Sequence, residues 1–253
     1  MDYEKLLNMA VELGYQLMYS GAEIYRVEES ARRLLHAYGL ESPEVFAIPN
    51  CLIVSVATPA GQPVTRMRRV PLHGTDIELL ERCNGLCRRL CAEVPPLDEA
   101  QALVNALPDA IPRYSPRMML LGYGAAPAFF APLFGGGLGD LACAFLCGLA
   151  VGLCLLYGGK FIGANSFFRT AVCSALAAFL SLVLVEAGLG ESVDVVTIST
   201  LMVLVPGVAL TNAMREIMAG DTFSALSRTA DAILVASAIA LGAAAGQALG
   251  GLL

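Results

Sequence analysis

Charge is scarce in this sequence, and basic charge scarcer still. Only 15% of the 253 residues are charged, with 16 Lys plus Arg against 22 Asp plus Glu, where a soluble globule carries about 25% charged residues. A net charge of −6 excludes a broad nucleic-acid surface, which needs dense Lys and Arg. The two histidines, His36 and His73, have no motif around them. No Ser/His/Asp or Cys/His arrangement is readable, so no enzyme, cofactor or metal site is expected. The opening Met1-Asp2-Tyr3-Glu4-Lys5 is acidic and lacks an apolar run, so no signal peptide is expected. There is no short-period repeat. Gly and Pro scatter among apolar residues rather than in polar tracts, which argues against disorder.

What is abundant is apolar residue: 57% of the chain, with a mean hydropathy of +0.66. The excess is not evenly spread. Residues 1–117 hold 27 charges, whereas the 136 residues from 118 onward hold 11. The expected fold is therefore an α-helical polytopic membrane protein. A small α+β cytoplasmic domain (1–116) precedes a membrane domain (117–253) of about five transmembrane helices.

Eight cysteines are present. Cys143, Cys147, Cys154 and Cys173 fall in membrane segments, where Cys acts as a small hydrophobe. Cys83, Cys87 and Cys91 repeat every four residues and suggest a metal. On one helix, however, the outer two stand about 12 Å apart along the axis, and a Zn–S bond is about 2.3 Å. With Leu79, Leu80, Leu86 and Leu90 they form a broad apolar face, so core packing is expected. Free thiols suit a reducing cytoplasm.

In the first half, helical spacing runs from Leu6 to Met18 and stops at Ser20-Gly21. A second helix, Ala22–Tyr38, carries Glu28/Arg32 and Glu29/Arg33 pairs and ends at Gly39. Two strands are expected, Val45–Thr58 and Val64–Val70, the latter presenting arginines to solvent. Helices follow over Asp76–Ala92 and Leu97–Leu107, separated by Pro95-Pro96. The cluster Glu23, Tyr25, Arg26, Glu28 reads either as a ligand-binding constellation or as a solvated helix face with local ion pairs. His36 reads as an ordinary helix residue.

A bilayer core of about 30 Å needs about 20 apolar helical residues. The expected spans are Met118–Phe134, Leu138–Tyr157, Phe167–Ala187, Val193–Ala213 and Ala230–Leu252. With the N-terminus in the cytoplasm, Arg113, Arg117, Lys160, Arg169, Arg215 and Arg228 all lie inside, and the outer loops hold Asp140, Glu191 and Asp194. This obeys the positive-inside rule and puts the C-terminus outside. Glycine pairs at 135/139, 148/152, 159/163, 242/246 and 246/250 permit close helix approach, within the chain or to another copy or subunit.

Polar residues in the spans are more informative. Thr197, Thr200, Gly207 and Thr211 share one side of the fourth span. Pro206 removes a backbone donor there and leaves the Met202 carbonyl without its usual partner. Such interruption is tolerated when protein, water or substrate fills the gap, as in transporters with broken helices. At the inner end come Asn212, Arg215, Glu216, Asp221, Ser224, Arg228 and Asp231. Asp221 can cap a helix, whereas Asp231 opens the last span and is a functional suspect. Asp140 and Asp194 read as caps.

Taken in order, these motifs resemble the threonine/serine exporter family. The resemblance lies in Gly14…Ser20-Gly21-Ala22-Glu23-Ile24-Tyr25-Arg26-Val27-Glu28, in Phe134-Gly135-Gly136…Asp140 and in Asn165-Ser166-Phe167-Phe168. It continues through Pro206-Gly207…Asn212…Gly220-Asp221…Ser224…Arg228, with Ala225 where Gly is expected. It implies a secondary transporter exporting small hydrophilic metabolites, threonine/serine-type amino acids or dicarboxylates such as succinate, across the inner membrane. A chain of this length resembles the larger subunit of a split pair, so a small membrane partner is expected to supply the second half. On this basis Asn165, Arg169, Thr200, Pro206, Gly207, Thr211, Asn212 and Arg215 are the candidate substrate contacts, and Asp221 and Asp231 the candidate ion-coupling residues. The alternative is a membrane-anchored sensor or enzyme whose activity resides in the N-terminal domain.

Overall fold

A computed structural model describes the chain apart from Met1, Ala60, Leu72, His73, residues 159–164 and Leu253. Lys160, His73 and the 159/163 glycine pair thus lie outside the described residues. The chain forms two compact units: residues 1–112 with 208–229, and residues 113–207 with 230–253. The polar stretch after the fourth expected span therefore clusters with the N-terminal residues.

In the first unit, α1 (Tyr3–Tyr19) is the core element, with Leu6, Leu7, Met9, Ala10, Leu13 and Leu17 buried. Asp2 caps it by accepting from the Lys5 N–H at 3.0 Å. It ends at Gly21, whose φ of +93° lies in the left-handed region. α2 (Ile24–Ala37) follows as the hairpin partner.

The expected strand Val45–Thr58 is two strands, β1 (Glu44–Ile48) and β2 (Cys51–Ala57), paired antiparallel with Ile48 opposite Cys51. Pro49-Asn50 makes the two-residue connection. The buried positions are odd-numbered before it (Val45, Ala47) and even-numbered after it (Leu52, Val54, Val56). β3 (Pro63–Arg69) pairs antiparallel with β2 at the sheet edge. Of its arginines, Arg69 is exposed as expected, whereas Arg66 and Arg68 are only partly solvated. Arg66 meets Glu4 at 3.1 Å, and Arg68 pairs with Glu12 while its guanidinium lies 3.8 Å over the Tyr15 ring.

α3 (Ile77–Glu93) and α4 (Leu97–Ala106) complete the core, followed by a 3-10 turn at Leu107–Ala110. Cys83 and Cys87 are buried among the apolar residues of α3. Burial pushes both thiols up to about 12, so they stay protonated. The first unit also includes α9 (Gly207–Ala219) from Val208 onward and the first turns of α10 (Thr222–Gly250).

The second unit contains α5 (Pro116–Leu133), α6 (Leu138–Tyr157), α7 (Ser166–Glu186), α8 (Val193–Leu201) and the remainder of α10. Among the described residues, three helices are long and apolar enough to cross a membrane: α6, α7 and α10. α5, with Pro127 and Pro132 inside it, covers the first expected span. The fourth expected span is not one helix. It leaves helical structure after Leu201 and resumes at Gly207. The last helix begins at Thr222, eight positions before the expected Ala230.

Glycines set the helix spacing in this unit. A Cβ at Gly148 would strike the Tyr123 carbonyl oxygen of α5, and Cβ atoms at Gly242 and Gly246 would strike the Ala171 and Ala175 carbonyl oxygens of α7. The glycine pairs of α6 and α10 thus serve packing within the chain. Asp140 is buried near the start of α6, where its carboxylate accepts from Gly137 N–H at 3.2 Å, Glu191 N–H at 2.8 Å and Ser192 N–H at 3.0 Å. It therefore ties down the 187–192 loop as well as capping its own helix. Asp194 does not cap α8; Ser192 does, accepting from Val195 N–H at 3.3 Å.

Candidate functional site

The turn between α1 and α2 leaves three backbone groups to be satisfied from outside the hairpin. Gly21 and Ala22 carbonyls follow the end of α1, and the first N–H groups of α2 have no intrahelical acceptor. α9 and the start of α10 supply the partners. Asn212 Nδ2 donates to the Gly21 carbonyl at 3.1 Å, and Arg228 donates to the Ala22 carbonyl at 2.7 Å. Ile24 N–H donates to Glu216 Oε1 at 3.2 Å, and Arg228 Nε donates to the same oxygen at 2.9 Å. Arg215 donates to Glu23 Oε1 at 2.8 Å, with Arg26 Nε 3.4 Å from the other carboxylate oxygen.

Four of these polar side chains, three of them charged, are buried. Glu216 is 0% exposed, Glu23 3%, Asn212 6% and Arg228 8%. Glu23 is therefore not on a solvated face, although Arg26 is exposed. Burial raises the Glu216 pKa above the ordinary carboxylate value, and the opposing pull of Arg228 and the Ile24 N–H does not fully offset it. Burial also acts upward on Glu23, but there the backbone hydrogen bond, Arg215 and Arg26 win and hold its pKa below the usual value. Glu216 Oε2 and Ser224 Oγ are buried without a hydrogen-bond partner among the described residues.

A second polar feature lies in the membrane unit, where α8 stops at Leu201 before Pro206. Thr197, Ser199 and Thr200 are all buried on α8. Thr200 Oγ1 donates to the Val196 carbonyl at 2.8 Å, whereas Thr197 Oγ1 and Ser199 Oγ have no partner among the described residues. Cys147 Sγ lies 3.8 Å from Ser181 Oγ in the same bundle.

The residues expected to bind substrate divide between the two units. Asn165, Arg169, Thr200, Pro206 and Gly207 belong to the second; Thr211, Asn212 and Arg215 belong to the first. Asn165 caps α7 by accepting from Phe167 N–H at 2.9 Å. Thr211 Oγ1 donates to the Val208 carbonyl at 3.0 Å. Asn212 and Arg215 are committed to the α1–α2 turn. Asp221 caps α10, accepting from Ser224 N–H at 3.1 Å, whereas Asp231 is exposed on that helix. Glu216 was not among the sequence candidates. Its partners stand 12 and 192 positions away, and in the sequence it is one polar residue of several at the inner end of the fourth span, with nothing local to single it out. Glu28 likewise turns inward, accepting from Ala47 N–H at 2.8 Å.

Comparison with known proteins bears on the same stretches. The profile of the family described as "Putative threonine/serine exporter" matches residues 8–250. The chain is 27% identical over 243 residues to a protein of Mycobacterium tuberculosis named "Probable threonine/serine exporter", covering 94% of this chain and 45% of the relative. It is 22% identical over 247 residues to the "Threonine/serine exporter" of Corynebacterium glutamicum, covering 95% and 50%. A third relative, "Pheromone-regulated membrane protein 10" of Debaryomyces hansenii, is 28% identical over 169 residues, covering 65% and 16%. The chain thus spans about half or less of the length of these relatives. No solved structure matches it. A match that runs from the first helix to the end of the last, through both the α1–α2 turn and the segment that braces it, places the chain in the threonine/serine exporter family.

Proposed function

We propose that this chain forms part of a secondary transporter that exports small hydrophilic metabolites across the inner membrane. The substrate class is threonine/serine-type amino acids or dicarboxylates such as succinate. The N-terminus lies in the cytoplasm, about five segments enter the bilayer, the C-terminus lies outside, and a small membrane partner supplies a second half. Relatives named as threonine/serine exporters and about twice as long support this reading.

The observation that carries it is the break between α8 and α9, preceded by buried hydroxyls of Thr197 and Ser199 that have no protein partner among the described residues. Backbone that leaves a helix at membrane depth is tolerated where it lines a cavity or a ligand site, and many transporters bind substrate at such breaks. Thr200, Pro206 and Gly207 are accordingly assigned to substrate, with Asn165 and Arg169 at the start of α7; Thr211 falls in the first unit and is not assigned to this site. Asn212 and Arg215 are assigned to the α1–α2 brace instead. Asp231 is the coupling candidate, and Asp221 a cap. α9 also supports membrane contact: it buries Asn212 and Glu216 while Met214, Ile217 and Met218 are exposed, the reverse of a water-facing helix.

The test is efflux from proteoliposomes holding the chain with and without its partner. Labelled threonine, serine and succinate are preloaded and a pH gradient is imposed. Partner-dependent efflux of one of them is expected. Absence of flux for all three, with folded protein and partner present, overturns the reading.

A further inference from the structure

The first unit holds a groove of about 840 Å³ between α2 and α3 that the transport reading leaves unused. Its rim is basic. Arg26, Arg33 and His36 come from α2 and Arg88 from α3, against one acid, Glu29. In a chain of net charge −6 this is a local inversion of sign. Arg33 pairs with Glu29 at 2.6 Å in an exposed contact, which holds little energy against a competing anion. Among the described residues, Arg88 Nε reaches only the Asn84 carbonyl of its own helix, at 3.4 Å. His36 Nδ1 donates to the Leu40 carbonyl oxygen at 2.7 Å, which fixes the ring at the groove edge.

The floor is different in kind. It holds Ala37 and the thiols of Cys87 and Cys91, with the exposed Ala92 at its edge. Burial holds both thiols in the protonated form, Cys87 at about 12. They supply apolar surface and neither metal ligands nor nucleophiles. The size falls within the range of about 300–1,000 Å³ typical of small-molecule sites. A charged rim over an apolar floor suits a ligand built the same way.

We propose that this groove binds a phosphate-bearing metabolite of nucleoside-phosphate size, its phosphates held by Arg33, Arg88 and Arg26 and its apolar body laid on the Ala37–Cys87–Cys91 floor. Guanidinium forks match phosphate oxygens in pairs. Arg26 already stands 3.4 Å from Glu23 and Arg33 2.6 Å from Glu29, so Arg88 is the rim cation with no acidic partner among the described residues, and a phosphate competes with exposed ion pairs for the other two. The site would give the chain a ligand-reading function in its N-terminal unit, whatever the cargo of the membrane unit.

The test uses the full chain in detergent, titrated by calorimetry with ADP, with pyrophosphate (charge without the apolar body) and with adenosine (the body without charge). Binding to phosphatidylglycerol vesicles is measured in parallel, since a lipid headgroup presents the same phosphate. ADP is expected to bind saturably, more tightly than either fragment, and to lose affinity at least tenfold in Arg33→Gln/Arg88→Gln. Ala92→Trp, which covers the floor from its edge without touching charge, is expected to weaken ADP more than pyrophosphate. Circular dichroism and melting of both variants report that the fold is kept, because all three positions are exposed. Three results each overturn the proposal: no saturable ADP binding, ADP affinity in the double variant within twofold of wild type, or arginine-dependent binding to vesicles alone.

Discussion

Gly21 illustrates how one residue limits this architecture. Its φ of +93° disfavours any side chain, and a Cβ there would come within 2.5 Å of the Gly74 carbonyl oxygen. Gly21→Ala is expected to destabilise the first unit by about 1–3 kcal/mol, read as a lower melting temperature of the purified chain. Arg228 is the second such residue. Replacing it with Met leaves Glu216 as a buried, unpaired carboxylate, at a cost of about 3–5 kcal/mol. Glu216→Gln keeps an acceptor for Ile24 N–H and is expected to be far milder; equal losses from the two substitutions would refute the ion-pair account.

The two carboxylates also give opposite pH signatures. Burial raises Glu216, so between the ordinary glutamate value of 4.5 and its own higher value the folded chain holds the extra proton. Stability there falls as pH rises. Glu23 is held lower, so between its own value and 4.5 the unfolded chain holds the extra proton and stability climbs with pH. In a pH series of melts, Glu216→Gln should remove the decline above 4.5 and Glu23→Gln the rise below it. Unchanged slopes in either variant would contradict the assignment.

Among the elements, α10 depends on contact with α7 where side chains are absent. A Cβ at Gly246 already meets the Ala175 carbonyl oxygen, and Ser174 Oγ donates to the Ile239 carbonyl at 2.6 Å. Gly246→Leu must separate the two helices, with an expected cost of about 1–3 kcal/mol or more, measured by thermal inactivation in detergent. The α8–α9 break makes the converse prediction. Pro206→Ala restores a backbone donor and favours a continuous helix, so efflux should fall while the folded fraction is unchanged. Efflux at wild-type rate would mean that the break is not used in transport.

At the scale of the molecule, the sign of the loops sets the expected orientation. A C-terminal fusion to alkaline phosphatase should be active, and a fluorescent-protein fusion dark, because an odd number of spans carries the C-terminus outside. The opposite pattern removes the five-span reading. Asp231→Asn should abolish coupled flux with folding intact, since the exposed carboxylate on α10 forms no cap or ion pair among those described. Normal flux in that variant removes its coupling role.

Local sequence determined what short-range physics can reach. The 3.6-residue period placed α1 and α3, Ser20-Gly21 ended the first helix, and long apolar runs marked α6 and α7, because each signal is complete within one segment. The β1–β2 turn was equally local, written in the switch of apolar parity across Pro49-Asn50, but the continuous alternation on both sides hid it. The motif residues of the turn and of the 206–228 stretch were visible as residue types, and their purpose was not. Only the tertiary structure decided that Asn212, Arg215, Glu216 and Arg228 satisfy the backbone and charge of residues 21–24. Those partners lie about 190 or more positions away, and no periodicity connects groups that distant. The fourth apolar run stands between these cases: Pro206 marked its interruption in the sequence, and the structure fixed the ends of the break at Leu201 and Gly207 and gave the polar residues of α9 to the α1–α2 turn.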